Sequence, residues 1–290
     1  MLTQAAPAKL NLSLAVTGRR ADGFHELVSL VASVRLFDRL DFTPGGPWRL
    51  TCDDPALPVD GTNLVLKAAE AFSRHRPEVA SGHFHLRKLI PSGAGLGGGS
   101  SDAAAALRAL DLSLEGNFLG LEGLEAIAAE VGSDCPYFIR GIPAVMRGRG
   151  ERLEPLADPA QRALFGRRVF LAKPPFGVPT PEAYGLLIKS GRYADPDVAE
   201  AELAAWTREP ARDPSALGNS LEAPVFAKYL ALPVALAAVA QIHGVGFRMT
   251  GSGSACFAFP DEGVDPEAIR RTLVRCWGPG TWFCDTRLSP

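Results

Sequence analysis

The chain is poor in the features that mark several whole classes of protein. Its cysteines, Cys52, Cys135, Cys256, Cys276 and Cys284, are odd in number and scattered, with no C-x-x-C pair. That argues against a disulfide framework or a zinc site and for a reducing compartment. Neither sign of charge is in excess: 30 basic against 32 acidic residues leave a formal net charge of −2, too little for general attraction to nucleic acid or an anionic membrane. The longest apolar run, residues 230–240, is interrupted by Pro233 and is too short to cross a bilayer. The first residues lack the basic and apolar regions of a signal peptide, so a cytoplasmic location with no membrane or nucleic-acid partner is expected. No internal repeat or low-complexity segment is visible. An anionic substrate must then be met by a few locally placed groups.

The chain has 290 residues, 47% of them hydrophobic, enough for two domains with cores of their own. Its most informative stretch is Pro91, Ser92, Gly93, Ala94, Gly95, Leu96, Gly97, Gly98, Gly99, Ser100, Ser101 and Asp102. The glycines let the backbone take left-handed dihedrals and approach a ligand closely. The alanine-rich run 103–110 predicts a helix, with Ser100, Ser101 and Asp102 as cap and first-turn residues. Unpaired N–H groups and the positive dipole end should then face the loop, which makes it an anion site suited to nucleotide phosphates. Gly93, Gly95 and Gly98 also fit the G-x-G-x-x-G spacing of a nicotinamide-dependent dehydrogenase. That reading requires a second parallel strand ending in an acidic residue about 20 residues on, whereas residues 121–131 read as another helix. A Walker-type Gly-Lys-Ser/Thr ending and the protein-kinase motifs are missing too.

Leu10, Leu12, Leu14 and Val16 alternate with Lys9, Asn11, Ser13 and Ala15, the period of a strand with one buried and one polar face. Read locally, Lys9 is a solvated surface charge. Residues 17–26 form a polar turn carrying Arg19, Arg20, Phe24 and His25, followed by a strand over 28–36 and an irregular passage over 40–60. The pattern predicts a helix over 64–73 and a strand over 83–90. His83 and His85 share a face of that strand without a third metal ligand and read as surface residues. Ser133 or Asp134, before Pro136, reads locally as a cap. Residues 143–152 continue the sheet up to a linker near 155–159. In the second half Thr180 is placed to cap a helix ahead of Pro181. With the extra helices set aside, the order there is β-α-β-β-α-β, the split ferredoxin-like arrangement.

Residues 7–14, 91–102 and 249–255 together resemble the three signature motifs of the GHMP kinases. The runs Ala6-Pro7-Ala8-Lys9-Leu10-Asn11-Leu12, Gly18 through His25, Gly95 through Asp102 and Gly251-Ser252-Gly253-Ser254 narrow the resemblance. They are similar to the members acting on a cytidine-diphosphate-linked methylerythritol, and the likeness extends over nearly the whole chain. It implies an α+β, two-domain GHMP kinase fold, with residues 1–157 as an N-terminal domain like ribosomal protein S5 domain 2 and residues 158–290 as a ferredoxin-like C-terminal domain. It also implies ATP-dependent phosphorylation of that substrate's 2-hydroxyl, in the non-mevalonate route to isoprenoid precursors.

By the same resemblance Lys9 and Asp134 fall on catalytic positions, which displaces both local readings. Phosphoryl transfer asks mostly for positioning and for cations around the moving group. A carboxylate can take the hydroxyl proton, and a lysine beside it favours its charged form. Residues 91–102, with Asn63, Leu64 and Lys88, are implied to bind ATP, and Asn11, Phe24, His25 and Tyr184 the acceptor. Phe24 stands where tyrosine is usual and Tyr184 where phenylalanine is usual. Stacking uses the ring face and survives both changes, but a hydroxyl hydrogen bond at position 24 is lost. Mg²⁺ is expected with ATP, held by phosphate oxygens and water and touched by Ser100 or Ser101, with no protein carboxylate as ligand. The expected partners are ATP and the small acceptor, the expected state a monomer or weak homodimer. The nearer alternative is another GHMP kinase, of mevalonate or sugar type. Phe24 and His25 discriminate, because those acceptors carry no pyrimidine to stack.

Overall fold

A computed structural model describes residues 1–210 and 212–289. The chain opens with β1 (Leu2–Asn11), β2 (Ala15–Arg19), β3 (His25–Pro44) and β4 (Arg49–Cys52), then α1 (Leu64–His75) and β5 (Gly82–Arg87). Next come α2 (Gly98–Leu112), α3 (Gly120–Val131), α4 (Cys135–Arg140), β6 (Ala144–Gly148), β7 (Arg152–Pro155) and α5 (Asp158–Leu164). The remainder begins with β8 (Arg168–Lys173), α6 (Thr180–Ser190), α7 (Pro196–Arg208), a 3₁₀ turn (Pro214–Leu217), α8 (Glu222–Lys228) and α9 (Ala231–His243). It closes with β9 (Arg248–Met249), β10 (Cys256–Ala258), α10 (Pro266–Trp277) and β11 (Trp282–Arg287). Two compact units result. The first gathers Met1–Lys9, Leu36–Ser92 and Gly97–Ile142, the second Leu10–Arg35, Gly93–Leu96 and the chain from Pro143 onward.

In the first unit β5 pairs antiparallel with the second half of β3, Arg39 opposite Arg87, and parallel with β4, Leu50 opposite Phe84. The irregular passage expected from residue 40 is instead a continuation of β3. Leu40 and Phe42 are fully buried, while Asp41 on the other face accepts hydrogen bonds from Thr3 Oγ1 and Arg39 Nε at 2.6 and 3.0 Å. Rings of Phe42 and Phe84 stack at 4.7 Å, with Trp48 5.9 Å from Phe84. Helices α1, α3 and α4 pack against α2. The side chains of α2 from Ala103 to Leu107 are wholly buried, and their small size lets the neighbouring helices close around them at interior density.

In the second unit the first half of β3 pairs antiparallel with β2 and β6, and β6 with β7. A separate sheet runs β11-β8-β10-β9, antiparallel throughout. Numbered by their order in the chain, these strands stand 4-1-3-2, with helices between the first and second and between the third and fourth. The predicted ferredoxin-like arrangement is therefore the one that forms. Val169, Phe170, Leu171 and Ala172 are all fully buried, a strand covered on both faces and so without polar alternation.

Two further local expectations are corrected. The strand predicted over 10–16 is broken, since β1 ends at Asn11 and β2 starts at Ala15, and its polar face is buried. Leu30 N–H donates to Ser13 Oγ at 3.0 Å and Asn11 Nδ2 to Ser29 Oγ at 2.7 Å, so hydrogen bonds within the protein replace water. Thr180 is the first residue of α6 and not its cap, a position held by Pro179; its Oγ1 lies 2.9 Å from Ser252 Oγ instead. Among the described residues no single helix is long and apolar enough to cross a membrane.

Candidate functional site

The glycine stretch does lead into a helix, but not through the predicted caps. Helix α2 starts at Gly98, and its cap residue is Gly97, left-handed at φ 72° and with no side chain to contribute. Ser101 and Asp102 are buried within the first turns. Ser101 N–H bonds Gly97 O at 2.9 Å, so the N–H groups just before it are those a helix start offers to an anion. A Cβ at Gly97 would stand 2.7 Å from Phe138 Cζ and 3.0 Å from Lys9 Cγ. Glycine is thus required here twice over, by dihedral and by contact, because the loop presses against Lys9 itself and against Phe138, one helical turn beyond Asp134.

Lys9, near the end of β1, is buried, yet its Nζ reaches Asp134 Oδ2 at 3.4 Å. Asp134 precedes α4 in helical conformation and makes no capping bond, so the local reading of it as a cap does not describe its side chain. Gly132, in extended conformation, ends α3 and turns the chain. The carboxylate keeps 38% of its side-chain surface exposed against 7% for the lysine. A buried cation thus steadies an anion that a ligand can still reach.

Lys88 follows β5. Its ammonium bonds Asp38 and, at 2.7 Å, Asp102 Oδ2. Asp38 Oδ1 accepts the N–H groups of Leu89 and Ile90 at 2.6 and 2.9 Å. Burial pushes the Asp102 carboxyl up to about 7 against the pull of Lys88, with Asp38 adding to the rise. Burial works against the Lys88 cation, but Asp102 and Asp38 raise its pKa overall. The site of a Cβ on Gly98 is 3.3 Å from Lys88 Nζ, so this ion cluster lies directly beneath the start of α2. Asn63 caps α1, accepting from Val65 N–H at 3.0 Å and donating to Pro58 O at 2.7 Å. Leu64 Cδ1 is 3.7 Å from the Cβ position of Gly99.

In the second unit, Gly93 to Leu96 pack backbone to backbone on the turn 250–254. Ala255 N–H donates to Ala94 O at 3.1 Å, and a Cβ on Gly95, φ 78°, would be 2.6 Å from Thr250 O. Asn11 N–H donates to Thr250 Oγ1 at 2.8 Å, and Asn219 Nδ2 holds the Met249 and Gly251 carbonyls, both at 2.9 Å. The His25 ring lies 4.6 Å from Tyr184 and 6.3 Å from Tyr193. Burial, then the charge of Arg19, lowers the His25 pKa and favours the neutral ring. Its Nε2 is buried and unpartnered among the described residues. Phe24 is 48% exposed, with the Arg149 guanidinium 5.0 Å over its ring. Phe24 N–H bonds Asp22 Oδ1 at 3.1 Å, which shapes the turn.

Lys9, Asp134 and Gly97 thus come together in one unit, and His25 with Tyr184 in the other. Sequence reasoning missed Asp38, Asn219, Tyr193 and Arg149. Only Asp38 carried a signal, as an acid inside an apolar strand. His83 and His85 do share a face, both ring nitrogens meeting Thr51 Oγ1 at 2.8 and 2.9 Å. No group of three or more His, Cys, Asp or Glu side chains among the described residues is placed to hold a metal ion.

The family models described as GHMP kinases N terminal domain and GHMP kinases C terminal match residues 63–141 and 199–279. The glycine loop on a helix start, the Lys9–Asp134 ion pair and the ferredoxin-like sheet thus sit in a chain that carries both domains of a GHMP kinase. A 4-diphosphocytidyl-2-C-methyl-D-erythritol kinase of Synechococcus sp. (strain CC9902) is 39% identical, the match spanning 99% of this chain and 97% of the relative. One from Pelotomaculum thermopropionicum is 38% identical, over 95% and 93%. The crystal structure of a 4-(cytidine 5'-diphospho)-2C-methyl-D-erythritol kinase superposes with a TM-score of 0.75 at 35% identity, covering 100% of both chains. Homoserine kinase from Cytophaga hutchinsonii, at 19% identity and a TM-score of 0.72 over 99% and 94% of the chains, shares the fold. The chain belongs to the 4-diphosphocytidyl-2-C-methyl-D-erythritol kinase family of GHMP kinases.

Proposed function

We propose that this chain transfers the γ-phosphoryl group of ATP to the 2-hydroxyl of 4-diphosphocytidyl-2-C-methyl-D-erythritol, giving the 2-phosphate and ADP, a step in making isoprenoid precursors. The observation that carries the mechanism is the 3.4 Å pairing of buried Lys9 with the half-exposed Asp134. Asp134 accepts the proton of the attacking hydroxyl as the O–P bond forms and the bond to the ADP oxygen breaks. Lys9 stabilises that carboxylate and the charge gathering on the phosphoryl oxygens. The N–H groups at the start of α2, with residues 91–102 around them, hold the ATP phosphates. Asn63, Leu64 and Lys88 flank the nucleotide, their polar side-chain atoms already bonded within the protein, so that contact falls to backbone and apolar atoms. Phe24 and Tyr184 offer ring faces to the cytosine, Asn11 and the unpartnered His25 Nε2 polar groups to the acceptor.

Mg²⁺ fits a site without an acidic cluster if phosphate oxygens and water supply its ligands, with Ser100 beside it, since Ser101 is buried; there it would neutralise phosphate charge. We assign the catalytic pair and ATP loop to an N-terminal domain, residues 1–157, and the ferredoxin-like part to residues 158–290. The enzyme is read as cytoplasmic, a monomer or weak homodimer, without nucleic-acid or membrane partners. Incubating purified protein with ATP, Mg²⁺ and the cytidylated methylerythritol, beside mevalonate, homoserine and galactose, tests the assignment. Phosphorylation of the cytidylated compound alone is expected, and preference for any of the others refutes it.

A further inference from the structure

Arg108 lies in the second half of α2, beyond the glycine loop, and its guanidinium is spent on uncharged acceptors from two other elements. Nη1 donates to the Phe138 carbonyl of α4 at 2.5 Å. Nη2 donates to the Ala5 carbonyl of β1 at 2.8 Å, and Nε lies 3.4 Å from Gln4 Oε1. No carboxylate among the described residues pairs with it, and burial lowers its pKa to about 10. A guanidinium stays charged even so, and a poorly solvated cation without a counter-charge is costly. An apolar side chain would avoid that cost but would leave the Phe138 and Ala5 carbonyls without these donors, so the cation is explained by the acceptors it joins.

The two carbonyls explain the arrangement. Ala5 lies four residues before Lys9 on β1, about 13 Å along a stiff strand. Phe138 lies one turn after Asp134, about 6 Å along α4. Helix α4 has only six residues, too few to hold its own position. It is fixed by its surroundings: the Phe138 ring faces Gly97 and the Phe138 carbonyl sits on Arg108. One planar fork therefore ties the strand carrying Lys9 and the helix led by Asp134 to the helix that begins at the glycine loop. We infer that Arg108 is a positioning residue for phosphoryl transfer, setting the separation of Lys9 and Asp134 by anchoring β1 and α4 to α2. The kinetic part of this rests on the proposed reaction; the geometric part does not.

Arg108→Lys keeps a cation but cannot bridge several acceptors with a flat fork, and Arg108→Met keeps the bulk without donors. Turnover at saturating substrates, per folded protein, is expected to fall about 10- to 100-fold in Arg108→Met, as small misplacements do. The lysine variant should recover part of that loss, and KM for ATP should change by less than about threefold, the split expected when only transition-state geometry suffers. Unchanged kcat per folded molecule, a rise confined to KM, or failure of both variants to fold would each show a purely structural brace and overturn the inference. Wild-type turnover in the same assay tests the proposed reaction separately. If the parent is inactive, crystal structures of parent and variant decide. A Lys9–Asp134 separation lengthened beyond salt-bridge distance in Arg108→Met supports the inference, and an unchanged one refutes it.

Discussion

Asp102 offers the sharpest test of how the start of the loop helix is held. Its carboxyl stands near 7 in the folded protein against an ordinary 3.8, so above about pH 4 the folded state holds a proton that the unfolded chain has released. Stability must therefore fall as pH rises from about 4 to about 7 and stay level above that. Converted from pH units to free energy, the titration curve integrates to a loss of about 2–3 kcal/mol between pH 5 and pH 8. Asp102→Asn removes this dependence, because the amide oxygen still accepts the Lys88 hydrogen bond and carries no charge to bury. Thermal unfolding of parent and variant at pH 5, 6, 7 and 8 measures the effect. The difference in stability should move in the variant's favour by about 2–3 kcal/mol across that range, which for a chain of this length is about 3–5 °C in Tm. Titrating groups remote from this cluster cancel in the comparison, while Asp38 and Lys88 interact directly with Asp102 and contribute to the difference that is measured. A gap constant with pH would refute the protonated carboxyl: Asp102 would be ionised throughout, with Lys88 and the start of α2 fully compensating its burial.

Other outcomes follow from the same geometry. Asp134→Asn should leave nucleotide affinity nearly intact while kcat falls by about 10²-fold or more, read by titration calorimetry beside steady-state kinetics; near-normal turnover would remove Asp134 from the mechanism. Lys88→Met leaves the buried carboxylates of Asp38 and Asp102 facing each other and should cost about 3–5 kcal/mol, a loss that shrinks in melts at lower pH as a carboxyl takes up a proton. Gly97→Ala places a Cβ 2.7 Å from the Phe138 ring at a positive φ. A left-handed non-glycine residue alone costs about 1–2 kcal/mol, so a lower Tm and a raised KM for ATP are expected together. Phe24→Ala should raise KM for the cytidylated acceptor about 5- to 150-fold, from a stacking contribution of about 1–3 kcal/mol, with KM for ATP unchanged.

The sequence by itself determined the glycine loop and the helix after it, since the backbone freedom of glycine and the helix preference of alanine act over a few residues. It also determined the ferredoxin-like order of the second half, because each strand and helix there announces its own period. Its local readings failed at Lys9 and Asp134, where a strand-edge lysine reads as solvated and an aspartate before a proline reads as a cap. Only the resemblance to other kinases moved them. Tertiary structure decided that Lys9 is buried and that Asp134 makes no capping bond. It decided that Ser101 and Asp102 turn inward from the loop helix, and that Asp38, 50 residues before Lys88, closes an ion cluster beneath it. Arg108 was silent in the sequence for the same reason. What a charged side chain does is set by burial and by the partners that long-range contacts bring within 3 or 4 Å, and neither quantity is carried by the residues next to it in the chain.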